Sequence, residues 1–358
     1  MKKSFIFLPL AIVGTVLLLV VLLFIFLTVM EYRPDSVEDV PFVSGNEKLE
    51  IGKKIALMTW NIGYAGLGKD DDFFMSGGTM VQPDSPEVSE AYLSGIKSTI
   101  QEKPVDVLFL QEVDIESKRS WKVNQVEALA LATGMASSFA LNFKCIFVPI
   151  PFPPIGRVES GVATLTNLET VEAQRHSLPV PFKWPTRTAN LKRCFLATRL
   201  PVYEAGVATG KELVLVNLHL EAFDDGEGKI AQTQQLMSFL NDEYAKGNYV
   251  VAGGDFNQNF PGSAAYPIVW PDDWKPGQLD NSMLDEGWSF CFDESAPTCR
   301  STSRPYNDED AAAKNWQYYL IDGFVVSPNV EVSLVKVLDE DFQHSDHNPV
   351  LLDFYLVK

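Results

Sequence analysis

The chain has 358 residues, 46% of them hydrophobic and 21% charged, with a formal net charge of -18. That is a globular composition, long enough for one large core or two small ones. So acidic a surface repels polyanions unless a site is locally basic or holds divalent cations, which counts against a dedicated nucleic-acid binder.

The N-terminal stretch 5–30 carries no charge and reads as one apolar helix. At about 1.5 Å rise per residue it is long enough to cross a hydrocarbon layer of about 30 Å with some tilt. Pro9 and Gly14 are tolerable in a membrane helix. Lys2 and Lys3 precede it, while Glu31, Asp35, Glu38 and Asp39 follow with only Arg33 as a cation. The positive-inside rule then leaves the N-terminus in the cytoplasm and the bulk of the chain outside it. A cleaved signal peptide would have a shorter apolar core ending at a small-x-small site, and Thr28-Val29-Met30-Glu31 offers none. The expectation is a single-pass anchor over 1–30. Residues 31–50 are acidic, contain Pro34 and Pro41, and show no helical period. They read as a tether holding a domain over 51–358 off the membrane.

Beyond residue 51, β-like runs alternate with helical windows. Five apolar runs lead to polar motifs. Run 55–58 precedes Thr59-Trp60-Asn61, run 105–109 precedes Leu110-Gln111-Glu112, and run 213–216 precedes Asn217-Leu218-His219-Leu220. Run 249–252 precedes Gly253-Gly254-Asp255-Phe256-Asn257, and run 335–338 lies ahead of Ser345-Asp346-His347-Asn348-Pro349. A buried strand ending in Asn, Glu, His or Asp delivers that group to one rim of a sheet, and alternation puts Asn217 and His219 on one face. Windows 87–101, 123–133 and 230–244 have apolar positions at helical spacing, among them Tyr92, Ile96 and Ile100 in the first and Leu236 and Leu240 in the last. The residues alone give a mixed α/β fold in which helices cover sheets. Shared delivery of a Glu, two Asp, two Asn and two His to one rim supplies the parts of a metal-assisted hydrolase.

Four cysteines, Cys145, Cys194, Cys291 and Cys299, lack zinc spacing. Cys291 and Cys299 flank a loop and are a pair open to bridging in an oxidising compartment; all four also read as ordinary small apolar residues.

The order Trp60-Asn61, Gln111-Glu112, Asn217-Leu218-His219, Gly254-Asp255-Phe256-Asn257, Asp322-Gly323-Phe324 and Ser345-Asp346-His347-Asn348-Pro349 resembles the endonuclease/exonuclease/phosphatase superfamily over about residues 51–358. The likeness is to its deoxyribonuclease-I-like and neutral-sphingomyelinase-like branch. The resemblance implies a four-layer α/β sandwich of two mixed β-sheets flanked by helices, preceded here by the transmembrane helix. It implies Glu112 as the main metal ligand, with Asn61 and Asp346 beside it, and Mg2+ as the cofactor, with Mn2+ or Ca2+ as alternatives. It implies His219 as proton donor to the leaving group, Asp255 orienting or deprotonating the attacking water, Asn257 bonding a phosphoryl oxygen, His347 at the phosphate, and Asp322 holding His347 in one tautomer. Many nuclease relatives carry an acidic residue where this chain has Gly63, and abasic-site endonucleases have another residue where it has His219. Arg157, Lys192 and Arg193 are further candidates for phosphate contact, with a solvated basic turn the competing reading for the last two. His176 is expected to face solvent and His344 to be a loop residue.

Segments 147–154, 178–184 and 266–274 are rich in proline and aromatics and read as specificity loops, suited to a membrane interface or to stacking on bases, or simply as packed loops. The anchor tips this towards a phosphoester at or near a membrane, such as a phospholipid or sphingomyelin. The expected enzyme is a membrane-anchored, metal-dependent phosphoesterase. An extracytoplasmic deoxyribonuclease-I-like nuclease, acting on nucleic acid despite the charge, is the rival enzyme. A non-catalytic tethered binding module is the rival of another class.

Overall fold

The computed structural model describes residues 4–358 apart from Asp225, Ala265 and Asp272. Lys2 and Lys3, on which the expected orientation rests in part, and Asp272 of the loop 266–274 lie outside the described residues. The apolar N-terminal stretch forms helix α1 (Ser4–Val29), long and apolar enough to span a membrane.

The six-stranded sheet is built from β1 (Lys54–Asn61), β2 (Val107–Asp114), β3 (Ala136–Val148) and β4 (Gly156–Thr166), joined by two strands from the far end of the chain. The eight-stranded sheet has as its centre β5 (Glu172–Ser177), β6 (Cys194–Glu204), β7 (Val207–His219), β8 (Tyr249–Asp255) and β9 (Asp322–Val326). The late strands β10 (Val330–Val337) and β11 (Val350–Leu356) complete the first sheet in the order β10-β11-β1-β2-β4-β3. Both sheets are mixed: β1 pairs β2 in parallel, as β7 pairs β8, while β11 and β9 run antiparallel to β1 and β8.

Each strand's buried alternation faces one sheet towards the other. Leu57 and Phe109 from the first sheet meet Leu215, Val251 and Phe324 from the second in the largest apolar cluster. Burying each such side chain contributes about 1.5–3 kcal/mol. Helices α2 (Pro86–Glu102) and α3 (Gln125–Thr133) cover the outer face of the first sheet, with Leu93, Ile96, Ile100 and Leu129 against Met58 and Leu110. Helix α4 (Glu227–Ala245) covers the second through Leu236, Met237 and Leu240. The result is the expected four-layer sandwich. Ser85 and Asn124 cap α2 and α3 by accepting from Val88 N and Glu127 N, which satisfies N–H groups that a helix start leaves orphaned.

Residues 31–50 do not form a free spacer. Val37–Asp39 adds an edge strand to β5, Leu49–Glu50 pairs β6 in parallel, and Leu49 is buried in the central core. Sequence periodicity could not show this, because each contact involves only two or three residues. All four cysteines are free; Cys291 packs in the central core and Cys299 with Tyr319 and Ile321, so the bridge considered between them is not formed. His176 is half-buried, not freely solvent-facing: it stacks on Phe195 at 4.7 Å with its Nε2 buried and without a hydrogen-bond partner, and burial pulls its pKa down to about 4.

Candidate active site

The sheet directions bring the polar motifs together. Parallel β1 and β2 end at one rim with Asn61 and Glu112, and parallel β7 and β8 end at the facing rim with His219 and Asp255. Antiparallel β9 begins there with Asp322, opposite Asp255. The turn before β11, which begins opposite Thr59, carries Asp346 and His347.

Local backbone aims these groups. At Glu112 the register of β2 against β4 shifts between Leu110 and Val113, and Glu112 itself has φ +52°. Such a bulge re-aims a side chain at the cost of local strain. Gly254 has φ +146°, and a Cβ there would lie 2.0 Å from the carbonyl oxygen of Leu218, so only glycine lets β8 run this close to β7. Gly63 has φ +50°, and a Cβ would come within 3.0 Å of Asp346 Oδ1. The tight turn seats Asp346 where a side chain at 63 would reach, which accounts for glycine at that position.

The two sheets are pinned beneath the site by buried amides. Gln111 Nε2 donates to Asn217 Oδ1 (2.8 Å) and Thr59 Oγ1 (3.1 Å), and Asn217 Nδ2 donates to the carbonyls of Ala163 (2.8 Å) and Leu110 (3.3 Å). Asn217 is therefore a clamp between the sheets. The turn carrying His347 is held by Trp60 Nε1, which donates to His347 O (2.8 Å), and by Ser345 Oγ, which donates to Asn61 O (2.7 Å).

Asp255 is the hub. Its Oδ2 lies 3.3 Å from His219 Nε2 and 3.8 Å from His347 Nε2 and accepts from Asn61 Nδ2 (3.1 Å). Its Oδ1 accepts from the backbone N–H of Asn257 (2.9 Å). Burial, reinforced by the Asp322 carboxylate, raises its pKa to about 7. His347 Nδ1 meets Asp322 Oδ2 at 2.9 Å. Burial opposes a charge on His347, but the Asp322 carboxylate and the Cys299 side chain more than offset it and hold the pKa well above the usual imidazole range. His219 goes the other way: burial, then the positive charge of Arg193 and His347, keeps it neutral, and its Nδ1 is buried without a partner. Asn257 spends one Nδ2 N–H on the carbonyl of Leu220 (3.0 Å), which leaves the other for a ligand.

Asn61 accepts from the Gly63 N–H through Oδ1 (3.0 Å) and donates from Nδ2 to Glu112 Oε1 (3.2 Å) as well as to Asp255. In this geometry its nitrogen faces the two carboxylates and its oxygen is bonded to the Gly63 N–H. Glu112 and Asp346 remain as a pair of hard oxygen donors. Burial and the nearby Glu112 charge raise the Asp346 pKa to about 6. A buried carboxyl whose ionisation is opposed by burial and by a second carboxylate nearby is a donor that a divalent cation relieves, and one or two carboxylates suit Mg2+. The residues fit the cation.

Two expected phosphate contacts are elsewhere. Arg157 pairs with Glu116 (2.8 Å) and Glu159 (2.7 Å) on an exposed edge. Lys192 pairs with Glu31 (3.2 Å), just past the end of α1. Arg193 does reach the site: it is buried, lines the same cavity as His219, and has Nε and one terminal nitrogen without hydrogen-bond partners, with Glu221 Oε2 at 3.5 Å. Glu221, Arg119, Arg300 and Cys299 also line the cavity and were not foreseen. Glu221 continues the alternation of Asn217 and His219, a signal that was legible. Cys299 arrives through an isolated bridge to His347, which no local pattern announces.

The cavity is about 690 Å3. Its floor holds Glu112, His219, Asp255, Asn257, Asp346 and His347. Its walls are largely apolar, with Leu67, Phe73, Phe74, Phe143, Ile155 and Phe182 among them.

Paired imidazoles around a buried carboxylate, with the carboxylates of Glu112 and Asp346 lining the same cavity at the rim of a two-sheet sandwich, are the arrangement of a phosphoester-hydrolase class of protein. The chain matches the profile of the endonuclease/exonuclease/phosphatase family over residues 58–347 and belongs to that family. Its members are phosphodiesterases, nucleases and phosphatases that typically use a divalent metal. Solved structures share the fold. An endonuclease/exonuclease/phosphatase protein from Beutenbergia cavernae is 18% identical with a TM-score of 0.55, covering 85% of this chain and 72% of that one. ANGEL2, a 2′,3′-cyclic phosphatase solved with adenosine-2′,3′-vanadate, is 15% identical with a TM-score of 0.53, covering 91% and 99%. A functionally unknown conserved protein from Enterococcus faecalis is 16% identical with a TM-score of 0.51, covering 84% and 100%. No curated protein matches the chain by sequence.

Proposed function

We propose that this chain is a membrane-anchored, divalent-metal-dependent phosphodiesterase acting on a lipid headgroup of the phospholipid or sphingomyelin kind. The observation that carries this reading is the wall of the cavity: it is largely apolar, and of the arginines that line it Arg119 is paired with Asp114 and Arg300 is bonded to backbone carbonyls. A nucleic-acid strand needs cations along its backbone, and here Arg157 and Lys192 are both committed to carboxylates away from the floor.

Glu112 and Asp346 would hold Mg2+, or Mn2+ or Ca2+ in its place, and a bound cation would neutralise non-bridging phosphate oxygens. Arg193, with its unpartnered N–H groups, and the free N–H of Asn257 face the phosphate. Asp255 orients the attacking water and takes its proton. From Asp255 the proton passes to His219, within 3.3 Å, and leaves with the departing oxygen. His347, fixed by Asp322, donates to a phosphoryl oxygen. Lys2 and Lys3 before the apolar stretch, against Arg33 just after it, favour an N-terminus in the cytoplasm and a catalytic domain outside it.

The test uses the full chain in vesicles of phosphatidylcholine and sphingomyelin with Mg2+, beside plasmid DNA. Release of the phosphorylated headgroup that stops in His219→Ala and on adding EDTA is the expected result. Cleavage of plasmid alone would replace this reading with the nuclease one. Mg2+ binding without turnover of either would favour a binding module.

A further inference from the structure

The cavity is not closed by the domain alone. Leu23, Phe24 and Leu27, on the last turns of α1, form part of its wall. Leu27 is buried and packs with Val81, Phe143, Val148 and Ile155. The helix end is fixed in place from several sides. Trp184 Nε1 donates to Thr28 Oγ1 (3.0 Å), and its ring lies 5.8 Å from that of Phe24. Glu31 pairs with Arg187 (3.2 Å) and Lys192 (3.2 Å). The edge strand Val37–Asp39 then ties the following segment to β5. A helix anchored only to hold a domain near a surface needs none of these contacts. Beside the same helix end, the loop 147–154 leaves Ile150 67% and Phe152 96% exposed, and Trp184 is 58% exposed. Exposed bulky side chains of this kind, next to the end of a membrane-length helix, lie where an interface would take them up.

We propose that α1 and the domain together form an acyl-chain site: a lipid moves sideways out of the bilayer, its chain lying between Leu23, Phe24 and Leu27 and the Phe143, Val148 and Ile155 wall, with its phosphate at the Asp255 floor. This rests on the lipid reading above. The volume, about 690 Å3, lies inside the range of about 300–1,000 Å3 common for ligand sites. The anchor is then part of the substrate site.

Two measurements on the full chain in phosphatidylcholine–sphingomyelin vesicles test it. The first is the ratio of lipid turnover to hydrolysis of bis(p-nitrophenyl) phosphate, a soluble diester without a chain. Leu23→Trp and Ile155→Trp, which fill the channel from its two sides, are expected to lower this ratio about tenfold or more. Leu17→Trp, higher on the same helix and outside the cavity, should not change it. The second is photo-crosslinking with phosphatidylcholine carrying a diazirine at the chain end, with adducts expected in the peptide spanning 143–155. Lipid turnover with an unchanged ratio in both channel variants and no adduct in 143–155 overturns the channel while leaving the lipid reading intact. A wild-type chain that hydrolyses the soluble diester but no vesicle lipid overturns the lipid reading itself, and the channel with it.

Discussion

The two ends of the cavity are built by different means. The polar end consists of strand termini, where register against neighbours within a sheet fixes each group: Asn61 beside Gln111 and Glu112, His219 beside Asp255, Asp255 opposite Asp322. The apolar end consists of loops and the outer turns of α1, held by a few side-chain contacts such as Trp184 to Thr28 and Glu31 to Lys192. Strand register cannot drift by less than a whole residue step, so the polar end is rigid. Loop walls tolerate substitution and set which molecule fits. The comparison assigns chemistry to one end and selection to the other.

The largest effects should come from the polar end. Asp255→Asn removes the hub shared by both imidazoles and should lower turnover of any phosphodiester by about 10^3-fold, within the span of general-base losses. Equal losses on vesicle lipid and on a soluble diester would confirm that this end does not select. A loss on one substrate only would break the division. Glu112→Gln should be nearly as severe and should also raise the Mg2+ concentration for half-maximal rate, measured by metal titration. Asp322→Asn acts through His347 and should cost about 10–100-fold. Its distinguishing mark is a displaced pH profile, because the carboxylate that raises the His347 pKa is gone.

A smaller effect is expected from Arg193→Met, which removes the unpartnered N–H groups but keeps most of the side-chain bulk. KM for the phosphodiester should rise more than kcat falls, which a full kinetic curve separates. The smallest effect serves as a reference outside both ends. His176 has a folded-state pKa of about 4 against an ordinary 6.5. Between those values the unfolded chain binds more protons than the folded one, so stability is full above about pH 6.5 and falls as pH drops towards 4. His176→Leu should flatten that slope in thermal unfolding across pH 4–7, with turnover at neutral pH as the control that neither end has moved.

Much of the polar end was readable from one dimension. Apolar runs that stop at Asn61, Glu112, His219 and Asp255 are local signals, and a strand delivers its last residue to its own end wherever it lies in the sheet. The helices were readable for the same reason: the stripe of Tyr92, Ile96 and Ile100 and the pair Leu236 and Leu240 repeat at helical spacing and are buried as that spacing requires. The apolar character and length of α1 are likewise properties of the residues alone.

What the residues in order do not contain is pairing at a distance. Arg157 and Lys192 looked like phosphate contacts because basic side chains are promiscuous; only the fold shows which carboxylates claim them. Asn61 was legible as a site residue, but the direction of its amide depends on the Gly63 N–H and on Glu112 and Asp255, which converge from other elements. The strand at 37–39 is too short for periodicity and exists because β5 offers an open edge. The wall that α1 shares with Phe143 and Ile155 joins segments more than 100 residues apart. Strand and helix periodicity is dictated by neighbours along the chain, and the sequence determined it. The cavity, its apolar wall and the partners of each buried charge depend on packing between distant segments, and only the tertiary structure decided them.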